Sequence, residues 1–594
     1  MNPVDWIVLI VTLSGIIVYG IFKSRTTRNL DGYFLSNRSM PWWLVLLSIM
    51  GTQASAITFL SAPGQAYTDG MRFVQYYFGL PIAMVVICIT FVPLFKKLKV
   101  YTAYEFLENR FDVKTRTLTS FLFLLQRGLS TGISIFAPSI ILSTLLGWNI
   151  YWTNVFMGGL LIIYTVTGGA RAVAYTQKLQ LIIIFAGMFL AGYYVVHNLP
   201  HQVSFSDALN VGGKLGKMNV ITSGMKNGSF DWNDRYNIIS GIIGGFFLAL
   251  SYFGTDQSQV GRYLTAKSVK ESRLGLLMNG LVKVPMQFFI LLIGVLVFTF
   301  YQFNKAPVFF NQKELTRLEA SPYKDSFSLL RQRMAETQSA KDVLLADYAS
   351  YKNEKSLLDL RSLQTRTDSI RKEVKSLIKK NGGDDNDTNY IFLRFVIDYL
   401  PVGLVGLLIA IIFLASWGSI AAALNSLASC TVVDFHKRFF HKKETAETDY
   451  RVSRWYTFAW GVFSIIVAMF AYNIGNSLIE AVNILGSLFY GVILGVFLLA
   501  FYFKRIKNNA TFWSAVIVEL FILLSSLWPR LPQLYFLESV LGNIGQAIHR
   551  FMLGVNAIGF LWLNAIGAIG VILMAILIQF IFPKRKSPAV DRTL

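Results

Sequence analysis

The chain has 594 residues, of which 54% are hydrophobic and only 15% charged, with a formal net charge of +22. A soluble domain carries about a quarter charged residues, so a soluble globular fold is excluded. The basic excess lies in short segments between apolar runs rather than on one face, which excludes a nucleic-acid surface as well.

Apolar runs of about 20 residues, enough to cross a hydrocarbon core of about 30 Å, recur along the whole chain. Hydropathy gives about thirteen of them. They begin near Trp6, Trp42, Val74, Leu118, Tyr151, Leu179 and Ile238, then near Leu276, Val402, Trp455, Leu478, Phe512 and Ala557. The expected fold is therefore an all-α polytopic membrane protein. The N-terminus, Met1-Asn2-Pro3-Val4-Asp5, carries an acid and lacks the basic n-region of a signal peptide. The first helix is expected to be retained, with its start outside. That start puts the basic loops around Lys23, Arg25 and Arg28, around Lys96, Lys97 and Lys99, and at His436-Lys437-Arg438 in the cytoplasm. Lys442 and Lys443, Lys504, Arg505 and Lys507, and the tail Lys584-Arg585-Lys586 fall on the same side, as the positive-inside rule requires. Segments 197–235, 304–399 and 530–555 then face outside.

The second segment runs Ser48-Ile49-Met50-Gly51-Thr52-Gln53-Ala54-Ser55-Ala56-Ile57-Thr58, then Ser61-Ala62-Pro63-Gly64. The seventh reads Leu250-Ser251-Tyr252-Phe253-Gly254-Thr255-Asp256-Gln257. Both put glycine and small polar residues where lipid-facing Leu or Val is expected. Backbone leaves the helical ladder inside a bilayer only where protein or a watery cavity satisfies it. Interrupted helices at matching positions, five segments apart, point to inverted repeats enclosing a site at the midplane. Taken singly, each segment also fits a small-residue packing face.

Two cations lie deep: Arg127 in the fourth segment and Lys283 in the eighth. Lys283 stands beyond Arg273 by about 15 Å at about 1.5 Å per residue. Ionisable groups at that depth either serve a site or bridge helices. Two cations near one cavity suit an anionic ligand. The stretch 312–381 has no spanning run and is rich in charged helix formers, ending at Gly382-Gly383. It predicts a solvated helical hairpin on the outer face. The ninth segment, Ala415-Ser416-Trp417-Gly418-Ser419-Ile420-Ala421-Ala422-Ala423-Leu424-Asn425-Ser426, adds hydroxyls and small side chains. Released carbonyls near Gly51 and Ala54 plus the Ser419 hydroxyl would supply oxygens for a hard cation such as Na⁺. Helix packing is the other account of this segment.

Several motifs in one order resemble the sodium/solute symporter family. Ala415-x-x-Gly418-Ser419 through Leu424-Asn425-Ser426 to Asp434 is similar to its sodium-site helix. Gly254 through Arg262-Tyr263-Leu264-Thr265-Ala266-Lys267, and Gly486-Ser487-Leu488-Phe489-Tyr490-Gly491, resemble two further signatures. Tyr104-Glu105-Phe106-Leu107-Glu108-Asn109-Arg110-Phe111 and Ala137-Pro138 look closest to the iodide, vitamin and monocarboxylate branch. The resemblance implies sodium-coupled symport by a bacterial member with a LeuT-like five-plus-five core. Residues 1–40 then form an extra helix and cytoplasmic loop, 41–196 the first repeat and 197–236 an external loop. The second repeat is 237–503, interrupted by the 304–390 insertion, and 504–594 hold C-terminal helices and a tail.

By position the resemblance carries the sodium site to the carbonyls of Gly51, Ala54 and Ala415 and the hydroxyl of Ser419. Gly418, where a hydroxyl residue is usual, departs from the pattern. A second sodium site of some members needs an acid that here is Gln177, with serines that here are Ala421 and Ala422, so one sodium is expected. Substrate positions are Gln53, Gln75, Tyr77, Arg127, Lys283 and Asn483, with Tyr252 matching the inner aromatic gate. Tyr77 stands where sugar carriers hold a binding acid, which argues against a plain hexose; an anionic solute such as sialic acid or a monocarboxylate is expected from the two cations, with a sugar or a vitamin as the alternatives. The partners implied are the solute, Na⁺ and the bilayer, with no cofactor, nucleic acid or obligatory protein. Proton coupling through Asp256, or a receptor sensing through 312–381, are the alternatives. Neither a metal triad nor a nucleophile–base pair stands out, so no catalysis is expected.

Overall fold

The structure is a computed structural model that describes residues 1–23, 29–352, 354–440, 445–471, 477–530 and 536–582. The basic positions Arg25, Arg28, Lys442, Lys443 and Lys584-Arg585-Lys586 lie outside the described residues. Helices dominate, because a helix closes its own backbone hydrogen bonds and needs no water to do so. In chain order they are α1 (Pro3–Lys23), α2 (Leu30–Leu35), α3 (Trp42–Gln53), α4 (Ala56–Asp69), α5 (Leu80–Leu98) and α6 (Glu105–Arg110). Then come α7 (Val113–Leu146), α8 (Ile150–His197), α9 (Phe205–Lys214), α10 (Gly245–Thr255), α11 (Gln257–Leu264) and α12 (Val269–Phe303). Next are α13 (Gln312–Glu319), α14 (Lys324–Tyr351), α15 (Glu354–Lys380), α16 (Thr388–Tyr399), α17 (Leu404–Cys430) and α18 (Ala446–Phe470). The last are α19 (Leu478–Tyr502), α20 (Asn508–Leu527), α21 (Phe536–Ala557) and α22 (Leu561–Ile581).

Among the described residues, 10 helical spans are long and apolar enough to cross a membrane. Shorter apolar helices are Trp42–Gln53, Ile150–Val166 and Ser240–Thr255. Two expected boundaries differ. The second expected segment is two helices, α3 and α4, and the fifth and sixth are one unbroken helix of 48 residues, α8. No proline interrupts α8, so its ladder runs through. Large apolar side chains such as Ile89 (68% exposed), Trp152 (72%) and Phe580 (83%) stand on the outside of the bundle. In water they would be a liability; against lipid they are the expected surface.

At the centre stands α17, buried on nearly every side and packed against α1, α3, α4, α7 and α8. Small residues let neighbouring backbones touch elsewhere. A Cβ on Gly79 would lie 2.1 Å from the Phe246 nitrogen, where the start of α5 meets α10. Backbone on backbone cannot yield, so Gly79→Ala is expected to destabilise the folded protein by about 3 kcal/mol or more, the upper end of overpacking costs. A thermal melt of the purified variant checks this, and an unchanged midpoint would show that the seam can open.

The hairpin expected within 312–381 is α14 and α15. Phe327, Leu330 and Met334 on one arm pack against Ile370, Val374 and Ile378 on the other. Leu345 and Tyr348 meet Val211 of α9, which docks the hairpin on the bundle. Ion pairs Lys352–Asp207 (2.7 Å), Lys214–Glu354 (2.6 Å) and Arg371–Asp387 (2.6 Å) tie its ends down.

Candidate functional site

Two of the helical rods are broken, at the places where small polar residues interrupt the apolar runs. In the first, the ladder of α3 closes with Ala54 N–H on the Met50 carbonyl (2.7 Å). Ser55 N–H then turns to Gln53 (3.1 Å) and Thr58 N–H to Ser55 (2.9 Å). These are the donors that a continuous helix would send to the Gly51 and Ala54 carbonyls. At Ala54 (φ −83°, ψ 79°) and Ser55 (φ −85°, ψ 173°) the chain is out of helical geometry. The second break is Asp256 (φ −74°, ψ 117°), between α10 and α11. Its carboxylate caps α11, accepting from Ser258 N–H (2.7 Å) and the Ser258 hydroxyl (2.6 Å). The Tyr490 hydroxyl donates to its other oxygen (2.7 Å). Asp256 therefore serves as the N-cap of α11.

A cavity of about 110 Å³ lies between the breaks. Gln53 of α3, Arg127 of α7, Tyr252 of α10, Ser419 of α17 and Asn483 of α19 line it, with Tyr77 from the turns before α5. Arg127 is its one lining cation. The guanidinium stands 3.9 Å from Asp256 and 6.0 Å from the Tyr252 ring centroid. Arg127 Nε, Gln53 Oε1 and Gln126 Oε1 are buried with no hydrogen-bond partner among the described residues. Unmet donors and acceptors on residues that line one space are what a polar solute satisfies.

Two expected contacts lie elsewhere. Gln75 is fully buried and outside the cavity lining. Its amide is spent on Thr222, donating to the hydroxyl (3.0 Å) and accepting the N–H (3.1 Å), so it anchors the 197–236 loop. Lys283 is also fully buried, and its Nζ sits 5.7 Å from the Tyr77 ring centroid. The ammonium thus stands behind Tyr77 rather than in the cavity lining. Sequence reasoning passed over Ser130, Thr131 and Ser134, which also line the cavity. Their spacing from Arg127 (i, i+3, i+4, i+7) marks one helix face and was available as a signal.

The residues expected to hold sodium lie at the C-terminal end of α3 and on α17, helices that pack on each other and on α8. The Ser419 hydroxyl donates to the Ser416 carbonyl (3.0 Å), which leaves its oxygen able to accept. Gln177 knits the three helices: it accepts from the Ser48 hydroxyl (3.0 Å) and donates to the Gly418 carbonyl (3.1 Å). A Cβ on Gly51 would lie 2.8 Å from Gln177 Cγ, and one on Gly418 2.6 Å from Gln180 Oε1. The missing side chains at 51 and 418 therefore make room for glutamines. Gly418 brings no hydroxyl, and its carbonyl already accepts the Gln177 amide. Ala421 and Ala422 pack on Val173 in an apolar cluster.

A multi-pass helical membrane protein with a polar cavity enclosed between two interrupted helices is the class that fold and site define. The pattern of the sodium:solute symporter family matches residues 33–316 and 374–518. The chain belongs to the sodium:solute symporter family. It is 25% identical over 551 residues to the sodium/sialic acid symporter SiaT of Proteus mirabilis, covering 92% of this chain and 93% of that one. It is 29% identical over 256 residues to the human sodium/iodide cotransporter, covering 42% of this chain and 38% of the other. A solved structure of a Na⁺-coupled sialic acid symporter, substrate-bound and outward-open, superposes with a TM-score of 0.72 at 22% identity, covering 98% and 99% of the two chains.

Proposed function

We propose that the protein carries a small organic anion, a carboxylate such as sialic acid or a monocarboxylate, across a bacterial inner membrane together with one Na⁺. The observation that carries this reading is Arg127, a buried cation facing the cavity with one nitrogen unpartnered. Relatives named for sialic acid and for monocarboxylates add support. The sodium ion is assigned to the Gly51, Ala54 and Ala415 carbonyls and the Ser419 hydroxyl, as half-helix ends and unwound carbonyls serve in other carriers. Two repeats, 41–196 and 237–503, each opening on an interrupted helix, would rock about this site in alternating access. Thirteen crossings with the N-terminus outside put the hairpin on the outer face. Asp256 is occupied as a cap and faces Arg127, which argues against proton coupling through it.

One Na⁺ moving inward yields about 2.3 kcal/mol per 100 mV plus about 1.4 kcal/mol for a tenfold gradient. With a neutral solute both contributions drive accumulation. With a monoanion the charges cancel, and only the chemical gradient remains. Uptake by the protein in liposomes is therefore expected to need an inward sodium gradient and to ignore an imposed membrane potential. The assay takes radiolabelled sialic acid, lactate, pyruvate and glucose in turn. Uptake driven by a proton gradient alone would return the coupling role to Asp256, and uptake of glucose but no acid would overturn the anion assignment.

A further inference from the structure

A second cavity, of about 240 Å³, lies between the hairpin and the end of the bundle, and shares no lining residue with the first. Its lining carries Lys217, Lys341, Arg371, Lys372 and Lys375 against the single acid Asp368. Asp387 accounts for two of these cations, pairing Arg371 at 2.6 Å and Lys375 at 3.1 Å. Lys217, Lys341 and Lys372 form no ion pair with any described residue. Lys341 is only 2% exposed, and its ammonium is held by two neutral groups, Gln302 Oε1 (3.2 Å) and Gln364 Oε1 (2.7 Å). A buried lysine with no carboxylate in contact is costly, and a bound anion would supply the missing contact.

The opposite wall is aromatic. Tyr67 of α4 packs edge-on against Phe298 and Tyr301 of α12, with centroids 5.3 and 6.3 Å away. Lys217 sits 5.0 Å from the Phe298 ring centroid. We propose that this cavity is a second binding site, for a small carboxylate borne on an apolar body, with Lys341 and Lys217 taking the carboxylate and the Tyr67–Phe298–Tyr301 wall taking the body. Lys341, Arg371 and Lys372 come from a segment that the family pattern leaves unmatched, between 316 and 374. The hairpin's share of the site thus lies outside the family pattern, while Tyr67, Lys217, Phe298 and Tyr301 lie within it. A ligand there would brace α4, whose Thr58, about 14 Å back along the helix, lines the central cavity.

Burial pushes the Lys341 ammonium down to about 8. The charged groups around it are Asp368 and Arg371 from α15, Asp342 from its own helix and Lys217 across the cavity; α12 presents the neutral Gln302. A bound carboxylate favours the protonated lysine. Affinity should therefore be full below pH 8 and fall as pH rises through it, with proton uptake on binding near that pH.

The test is calorimetric titration of the full-length purified protein with benzoate, a carboxylate on a ring. Wild type is expected to bind, with Lys341→Gln and the exposed Lys372→Glu each weakening binding by about tenfold or more. Lys341→Gln should also flatten the loss of affinity above pH 8. Benzyl alcohol, the same ring without charge, should not bind, and inorganic phosphate should bind more weakly than benzoate. Wild-type affinity in both lysine variants would overturn the second site. Equal binding of benzyl alcohol or of phosphate would overturn its assignment to carboxylates.

Discussion

Arg127→Gln is expected to raise the solute concentration for half-maximal uptake by about 100-fold, the largest effect of any single change at the central cavity. A charge-assisted hydrogen bond contributes about 1.5–3 kcal/mol, and a guanidinium fork can make two to one carboxylate. Each 1.4 kcal/mol is about tenfold in affinity, so losing the fork accounts for the expected factor. The guanidinium is placed for this role. It faces the cavity lining, leaves Nε unpartnered, and holds Asp256 only at 3.9 Å rather than in close contact. Glutamine would also strip Asp256 of its counter-charge, and breaking a buried pair costs about 3–5 kcal/mol. Transport and folding must therefore be read separately. Arg127→Lys keeps the charge beside Asp256 but loses the planar fork, so it should fold normally and still bind solute at least about tenfold more weakly. A lysine variant with unchanged half-saturation and thermal midpoint would make Arg127 a mere partner of Asp256, and the anion assignment would fall.

How much of the fold and site was legible in the sequence varies by element. The two breaks were, because a spanning run gives way to glycine and small polar residues where protein or water, not lipid, meets the backbone. The Asp256 cap is what such a break favours, since an acid at the start of a helix meets free N–H groups. The hairpin declared itself through helix formers too polar for lipid, although its docking did not. Lys352 and Asp207, which help to hold it, are far apart in the chain, and no local pattern pairs them. Gln75 and Lys283 show where a single sequence runs out. Both were expected to meet the solute, but the direction a side chain takes is set by neighbours that no local pattern names. Thr222 draws Gln75 away from the cavity, and the Tyr77 ring stands beside Lys283. The hydroxyl face of α7 was in plain view, and the 3.6-residue period would have found it.

For Ser419→Ala, sodium activation of uptake is expected to shift to concentrations about tenfold higher or more. Na⁺ takes oxygen ligands, and the proposed set has three carbonyls and only one side-chain oxygen. The carbonyls cannot be removed by mutation, which makes Ser419 the one ligand open to a direct test. Its hydroxyl hydrogen is engaged with the Ser416 carbonyl, so the oxygen is left able to accept. Losing one charge-bearing contact costs about 1.5–3 kcal/mol, or about tenfold to a hundredfold in sodium affinity. The methyl that remains fits the same space, so the protein should fold, and solute half-saturation at saturating sodium should stay near wild type. The same titration reports the number of ions. Gln177 fills the seam between α3 and α17 with a neutral amide, while Ala421 and Ala422 offer no oxygen from their side chains. Activation should therefore be hyperbolic in sodium for wild type and variant alike. A sigmoidal curve in wild type would require a second ion and a second set of ligands. An unchanged hyperbola in Ser419→Ala would move the ion away from the break between α3 and α4.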